Sequence, residues 1–272
     1  YKKTNFEMTL SEFKPIFMYE YLHRILGRII GIIFFIPLLY FTLRKAIPPV
    51  LIPRLYLLLI LGGFQGVLGW YMVKSGLVDD PNVSQYRLTA HLGMAVFIYS
   101  LILWTVFDLS LNYNHAIRSR IKWMSSTLTL LIFLMILSGG LVAGTRAGIP
   151  FPTWPLMGDT FIPPQIYSMN PSWLSAFEDM ATIQFNHRMF AYLLTIFIVI
   201  FAIVLLRSNV PRFLKNGTTV LLFVLSLQVL LGISTLLFYI PIPVAAAHQV
   251  GAIALLSVSL FITHSCLSRK QI

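Results

Sequence analysis

Seven long apolar segments constrain this chain more than any other feature of its sequence. They cover residues 18–43, 54–73, 86–107, 122–144, 183–206, 213–238 and 245–266. Each is close to the roughly 20 residues that a helix needs to cross a bilayer, and inside lipid only helices and closed barrels satisfy their own backbone groups. Because 57% of the residues are hydrophobic and only 11% are charged, the sequence predicts an all-α polytopic membrane protein.

The distribution of charge predicts orientation rather than nucleic-acid binding. The net charge is +11, but the basic residues lie in alternate short loops and in the C-terminal tail, a pattern typical of the cytoplasmic or matrix side of a membrane. The long connection 145–182 then faces outward, and a short interfacial helix capped by Ser172 is expected within it. The single cysteine, Cys266, excludes an internal disulfide and a cysteine-based metal site.

An internal repeat relates the first three apolar segments to the last three. The paired motifs are EYLHRILGR (20–28) with QFNHRMFAY (184–192), QGVLG (65–69) with QVLLG (228–232), and TAHLG (89–93) with AAHQVG (246–251). Segment 122–144 has no partner, so the repeat predicts a further helix before residue 1 and an eight-helix bundle of two four-helix repeats. The predicted halves are residues 1–110 and 118–272.

Four of the six histidines fall in the repeated motifs, near helix starts at the outward end. They form two equivalent pairs, His23 with His91 and His187 with His248. Ionisable residues within a membrane usually face a bundle interior or a cavity. Two imidazoles on opposite faces of a plane suit a haem iron, whereas zinc would need further ligands that the chain does not cluster.

The other two histidines, His115 and His264, fall at a loop and at an inner helix end, and are predicted to be solvated. Arginines near the paired histidines are candidates for binding the anionic propionates of a haem, because a guanidinium clamps a carboxylate with two hydrogen bonds. Interfacial snorkelling or a salt bridge is the alternative for each. The candidates are Arg24, Arg28, Arg87, Arg146 and Arg188.

Glu20 breaks the symmetry of the repeat. It lies three residues before His23 and shares its helix face, whereas the second half has Gln184 at the equivalent position. The pocket formed by His23 and His91, which contains the Glu20 carboxylate, can perform proton chemistry. The pocket formed by His187 and His248 can hold an electron-transfer haem. The alternative for Glu20 is an i,i+4 ion pair with Arg24.

Extended motifs resemble the haem A synthase family across essentially the whole chain and in order. They are EFKPIFMYEYLHRILGRIIG, GVLGWYMVKSGL, VSQYRLTAHLG, LSGGLVAGTRAG, QFNHR and LLGISTLLFYIPIPVAAAHQVGAIALL. The block WYMVKSGL…VSQYRLTAHLG resembles the branch shared by mitochondria and proteobacteria. The family has eight transmembrane helices in two four-helix halves, so the resemblance also implies that the first helix is missing from this chain.

The resemblance implies an oxidoreductase that converts the C8 methyl of haem O into a formyl group, giving haem A for cytochrome oxidase. It implies that His187 and His248 are axial ligands of a resident haem b, that His23 and His91 are ligands of the substrate haem, and that Glu20 is catalytic. Expected partners are haem O synthase, a ferredoxin-type or quinol electron donor and the lipid bilayer, with a possible homo-oligomer and no nucleic acid. The expected location is the bacterial or mitochondrial inner membrane, with the haem ligands toward the periplasm or intermembrane space.

Two other function classes remain compatible with the composition and the histidine pairs. A two-haem b membrane cytochrome would pass electrons between a quinol and a partner. A proton-coupled transporter would use Glu20 and the histidines as a relay, and it would be colourless when purified.

Overall fold

The computed structural model of the chain describes residues 9–76, 83–111 and 115–267. These ranges contain no β-strand, and they form the helices α1 Leu10–Leu43, α2 Ile52–Gly76, α3 Gln85–Ser110, α4 Ser119–Thr145, α5 Ser175–Glu178, α6 Met180–Leu206, α7 Arg212–Leu237 and α8 Ile242–Leu267. All except the short α5 are long and apolar enough to cross a membrane. The predicted all-α polytopic class is therefore confirmed, while the eight-helix, two-repeat organisation stays a prediction.

The first helix begins earlier than the apolar pattern predicted, at Leu10 rather than at residue 18. The Thr9 hydroxyl accepts a hydrogen bond from the Glu12 backbone N–H, and the Glu12 carboxylate accepts one from the Thr9 N–H at 2.8 Å. This reciprocal capping box fixes the first turn of α1. Hydrophobicity alone missed that turn because it carries the polar residues Ser11, Glu12 and Lys14.

The helices belong to two compact units, Tyr1–Val83 and Ser84–Ile272. In the first unit α1 packs against α2, with Leu38, Leu51 and Leu58 buried. The second unit contains α3 to α8. In the structure, α3 therefore belongs to the same compact unit as the C-terminal helices. The predicted boundary after residue 110 was based on the sequence repeat, and it stays a prediction.

In the second unit α8 is the central helix. It packs against α3, α4 and α7, and half of its membrane-crossing window is buried. The surrounding helices each contribute apolar side chains to one core cluster. Its members include Val96 on α3, Leu128 on α4, Ile198 on α6, Leu221 on α7 and Leu256 on α8.

Hydroxyl groups connect α4 to α8 inside this core. Thr129 Oγ1 lies 2.7 Å from Ser259 Oγ and 2.8 Å from Thr263 Oγ1. Thr263 Oγ1 also donates to the backbone carbonyl of Ser125 at 2.9 Å. Because lipid offers no hydrophobic force between helices, such small hydroxyl side chains allow close packing and add polar contacts between the two helices.

The structure contradicts the prediction for His264, which lies near the C-terminal end of α8. This side chain is buried, with 1% exposure, and its Nε2 lies 2.8 Å from Asp108 Oδ1 on α3. Its ring also meets Trp104 edge-on, with 4.9 Å between ring centroids. The prediction of a solvated His264 is wrong because α8 runs through the centre of the unit, where α3 covers its last turns. His115 is exposed, in agreement with its prediction.

Candidate functional site

The end of α4 meets the starts of α3 and α6. A Cβ atom added at Gly140 would lie 2.9 Å from Thr89 Oγ1 on α3, and one added at the neighbouring Gly139 would lie 3.6 Å from His187 Cε1 on α6. These small residues let three helices approach at the same level. The start of α3, which carries His91, and the start of α6, which carries His187, therefore lie at one end of the second unit.

The start of α8 lies at the same end. A Cβ at Gly148, just after α4, would lie 2.8 Å from Ile240 in the short turn between α7 and α8. Further along, a Cβ at Gly232 on α7 would lie 2.9 Å from His248 Cε1 on α8. His248 and His187 are close enough for their rings to interact electrostatically. The structure thus brings the predicted pair together, with α4 behind one ring and α7 behind the other.

Each of the two imidazoles has a distinct environment. His187 Nδ1 lies 3.0 Å from the Ser138 hydroxyl oxygen on α4. His248 Nδ1 is buried and meets no side-chain partner among the described residues, and its ring lies near the Gln228 backbone of α7. On the same face of α7, the Gln228 side chain lies against Gly251 of α8. A side chain at Gly232 would displace the His248 ring, and one at Gly251 would displace the Gln228 side chain.

These features would let His187 and His248 hold a haem iron. Two histidines come from different helices, glycine backbone lies beside each ring, and a planar macrocycle needs small residues where it passes a helix. The Ser138 contact leaves Nε2 of His187 as the ring nitrogen available to a metal. The arrangement offers only two strong ligands, which suits a haem iron better than zinc.

Gln184 and Arg188 hold the long connection 145–182, called the outer loop after its predicted orientation. Gln184 Nε2 donates to the Phe151 carbonyl at 3.0 Å, and Arg188 Nη2 donates to the same carbonyl at 3.0 Å. Arg188 Nη1 donates to the Leu156 carbonyl at 3.1 Å, and both α6 side chains are buried. The structure therefore gives both residues a loop-anchoring role, and haem propionate binding by Arg188 stays a prediction.

The end of the outer loop is attached to the start of α3. Gln85 Nε2 donates to Glu178 Oε2 at 2.8 Å, and the Tyr86 hydroxyl donates to Glu178 Oε1 at 2.5 Å. The Phe177 ring lies beside the Tyr86 ring, with 6.4 Å between centroids. The long loop thus has fixed contacts on both α3 and α6, which places it over the end of the unit that carries the histidines.

The short helix predicted in this loop has a different start. A 3-10 turn spans Ser172–Leu174 and leads into α5, and Ser172 makes no capping hydrogen bond. Ser175 instead accepts the backbone N–H of Met169 at 3.1 Å, and Asp179 caps α6 by accepting from the N–H of Thr182 at 2.8 Å. The prediction of Ser172 as a cap is wrong because Ser172 is itself the first residue of the 3-10 turn, and the residue at the cap position is Pro171, which has no side-chain acceptor.

The first unit carries Glu20, His23, Arg24 and Arg28 on α1. Arg24 donates through Nη2 to Glu20 Oε1, one turn away, and both side chains are about half exposed. The predicted i,i+4 ion pair therefore exists, and it holds the carboxylate on the helix face that also carries His23. Arg28 lies one further turn along and is exposed.

His23 lies deeper in its helix than the other paired histidines. It follows the start of α1 by almost four turns, whereas His91, His187 and His248 lie about two turns from the starts of theirs. The difference comes from the polar first turns of α1. Because His23 belongs to the first unit and His91 to the second, their pairing stays a prediction.

Two further arginines were predicted to face a haem. Arg87 is partly buried on α3, one turn before His91. Arg146 is exposed and ends α4 in the left-handed conformation, with φ of 57°. Its backbone N–H closes the last turn of α4, so the structure gives Arg146 a helix-ending role, while propionate binding by either residue stays a prediction.

Comparison with known proteins decides the family. The family model described as cytochrome oxidase assembly protein (COX15-CtaA) matches residues 1–260. Among similar proteins, the haem A synthase of Nitrosospira multiformis is 47% identical, over 97% of this chain and 75% of the relative. Those of Parvibaculum lavamentivorans and Bradyrhizobium diazoefficiens are 42% and 41% identical, over 97% and 100% of this chain and 76% of each relative. The chain belongs to the haem A synthase family. As a member, it is a multi-pass membrane enzyme.

Sequence reasoning missed three residues that shape this haem A synthase site. Ser138 contacts a predicted haem ligand, and Glu178 and Tyr86 fasten the outer loop. Ser138 lies on α4, for which the repeat offers no partner, so no repeated motif marked it. The adjacent glycines in LSGG were the available signal, because they show where another element approaches the backbone.

Proposed function

We propose that the chain oxidises the C8 methyl group of haem O to a formyl group and so makes haem A for cytochrome oxidase. In this proposal His187 and His248 hold a resident haem b, while His23 and His91 bind the substrate haem O. The family relationship supports the reaction. The proximity of His187 and His248, with glycine beside each ring, supports the resident site.

The proposal that the two histidine pairs have different roles rests on the difference between Glu20 and Gln184. The Gln184 amide donates to a loop carbonyl, which is a purely structural task. At the equivalent repeat position, Glu20 forms an ion pair with the Arg24 side chain among the described residues, and about half of its surface is exposed. A carboxylate there can accept and release protons, which an amide cannot do.

The proposed chemistry is stepwise oxidation of the methyl group through an alcohol and a hydrated aldehyde. Each hydroxylation uses dioxygen as the oxidant together with two electrons from the donor and two protons: one oxygen atom forms a C–O bond in place of a C–H bond of the methyl carbon, and the other leaves as water. Glu20 accepts and releases protons for this step or stabilises an electron-poor intermediate of the substrate. Arg24 keeps the Glu20 carboxylate on the His23 face of α1. A bound haem b supplies one-electron transfer. Gln184 and Arg188 hold the outer loop across the histidine end, which limits access of water.

The proposal also includes partners and location. Haem O synthase supplies the substrate, and a ferredoxin-type protein or a quinol donates electrons to the enzyme. The enzyme lies in the bacterial or mitochondrial inner membrane, with the histidine end toward the periplasm or intermembrane space. The block WYMVKSGL…VSQYRLTAHLG supports placement in the mitochondrial and proteobacterial branch.

Haem analysis tests this function. The full-length protein is expressed with a source of haem O, and the extracted haems are separated by chromatography. The wild type should yield haem A together with haem b. Glu20→Gln should keep haem b but lower haem A by about 100-fold or more, the usual scale of general acid–base catalysis. Haem O or its alcohol should accumulate.

Glu12→Gln is the matched control, because Glu12 is a carboxylate on the same helix whose contacts serve only the capping box. This variant should make haem A normally. Normal haem A from Glu20→Gln would contradict the proton role and leave Glu20 as a structural partner of Arg24. A wild-type protein that carries only haem b and makes no haem A would instead indicate a two-haem cytochrome.

A further inference from the structure

The hydroxyl group of Ser138 lies behind His187, one of the two proposed haem ligands. Its oxygen is 3.0 Å from His187 Nδ1, within hydrogen-bond distance, although the two residues are 49 positions apart and on different helices. The contact is possible because α4 has Gly139 and Gly140 directly after Ser138, where a Cβ would approach His187 and Thr89. The serine is therefore placed by the packing of α4 against both neighbours.

Metal binding decides the direction of this hydrogen bond. A neutral imidazole carries one N–H, and a nitrogen that binds a metal must present its lone pair. If Nε2 of His187 binds iron, the proton sits on Nδ1, which then donates to the Ser138 oxygen. Such a bond fixes the ring orientation and tautomer, and it makes the imidazole more electron-rich.

The second histidine has a different kind of contact. His248 Nδ1 is buried and meets no side-chain partner among the described residues, and its ring lies against Gly232 and the Gln228 backbone of α7 instead of a hydroxyl group. The two proposed ligands therefore have different outer contacts, and a side-chain hydroxyl acts on His187 alone.

We propose that Ser138 is a positioning residue that holds His187 in the Nδ1–H tautomer and lowers the reduction potential of the resident haem. This inference rests on the proposed function, in which His187 and His248 bind haem b. An electron-rich ligand stabilises ferric over ferrous iron, and hydrogen bonds near the metal are one of the means by which a protein sets the potential. Loss of the hydroxyl should therefore shift the potential upward.

The experiment compares Ser138→Ala, Ser138→Thr and Ser138→Cys in the purified full-length protein. Reduction is followed by haem absorption during a redox titration, and the ferric state by electron paramagnetic resonance. Ser138→Ala should have a more positive midpoint potential and altered ferric g values. Ser138→Thr keeps the hydroxyl and should resemble the wild type. The weaker acceptor in Ser138→Cys should give an intermediate potential.

Ser226→Ala is the matched control, because the Ser226 hydroxyl is exposed and donates to the Leu222 carbonyl of its own helix at 3.0 Å. It should leave the potential unchanged. Haem loss in Ser138→Ala with retention in Ser138→Thr would also support a positioning role for the hydroxyl. A bound haem whose potential and g values are the same in wild type, Ser138→Ala and Ser138→Cys would overturn the inference. Absence of a His187-dependent haem from the wild type would instead overturn the proposed function.

Discussion

Two consecutive residues of α6 connect the histidine pair to the outer loop. His187 contacts Ser138 on α4, while the adjacent Arg188 donates to the carbonyls of Phe151 and Leu156. Because neighbouring residues on a helix point about 100° apart, the two side chains serve different neighbours from one turn. A displacement of the outer loop would therefore move the same turn of α6 that carries His187, the proposed iron ligand.

We expect Arg188→Ala to loosen the loop without unfolding the helices. Two buried hydrogen bonds from a charged group are lost, which should cost about 2 kcal/mol or more of local stability. Hydrogen exchange measured by mass spectrometry should then become roughly 30-fold faster near Met157, whose N–H donates to the Thr160 carbonyl at 2.8 Å. Arg146→Ala is the control, since the Arg146 side chain is exposed. Unchanged exchange in the Arg188 variant would show that the loop is held by other contacts.

A second prediction at the scale of single residues concerns the buried His264. His264→Ala would leave a cavity beside Trp104 and remove one hydrogen-bond partner of Asp108. The expected cost is about 2 kcal/mol, because an interior polar group loses its hydrogen bond while Asp108 keeps some access to solvent. Thermal unfolding in detergent should show a lower midpoint for this variant than for His115→Ala, which removes an exposed histidine. Equal midpoints would contradict the structural role of His264.

At the scale of helices, glycines decide where the elements meet. The last turn of α4 approaches the first turn of α3 so closely that a Cβ at Gly144 would lie 2.7 Å from the Gln85 Cα atom. Gln85 and its neighbour Tyr86 also hold Glu178 at the end of the loop. The position of the loop thus depends on how closely α3 and α4 pack.

We expect Gly144→Ala to push α3 away from α4. The added methyl group meets backbone atoms, which cannot rotate aside, so the cost should be about 1–3 kcal/mol. Gly62→Ala on α2 is a suitable comparison, because no described atom lies within 4 Å of its Cβ position. Melting temperatures of the two purified variants provide the measurement. Equal stability would mean that the α3–α4 contact yields more easily than its geometry indicates.

The same helices show how far sequence reasoning reaches. Apolar segments located all seven spans, because membrane helices are defined by length and hydropathy. The start of α1 was missed, since a capping box between Thr9 and Glu12 is polar. Burial of His264 was missed as well, because the sequence does not reveal that α8 is central. Contacts such as Ser138 with His187 join distant positions and arise only from packing.

At the scale of the whole molecule, each of the two units carries part of the predicted chemistry. The second unit brings His187 and His248 together around glycines, and its central helix α8 carries one of them. The first unit carries Glu20 and His23 on α1. In the proposed function, the second unit retains an electron-transfer haem and α1 of the first unit supplies proton chemistry to the substrate.

The most direct test of this account is the haem b content of the purified full-length protein, measured as haem per chain for wild type, His187→Ala, His248→Ala and His115→Ala. The wild type and His115→Ala should carry the same amount of haem b, since His115 is exposed and outside both pairs. His187→Ala and His248→Ala should each lose it while remaining folded by circular dichroism. Retention of the full haem b content in either of these two variants would contradict the central claim that this pair holds the resident haem.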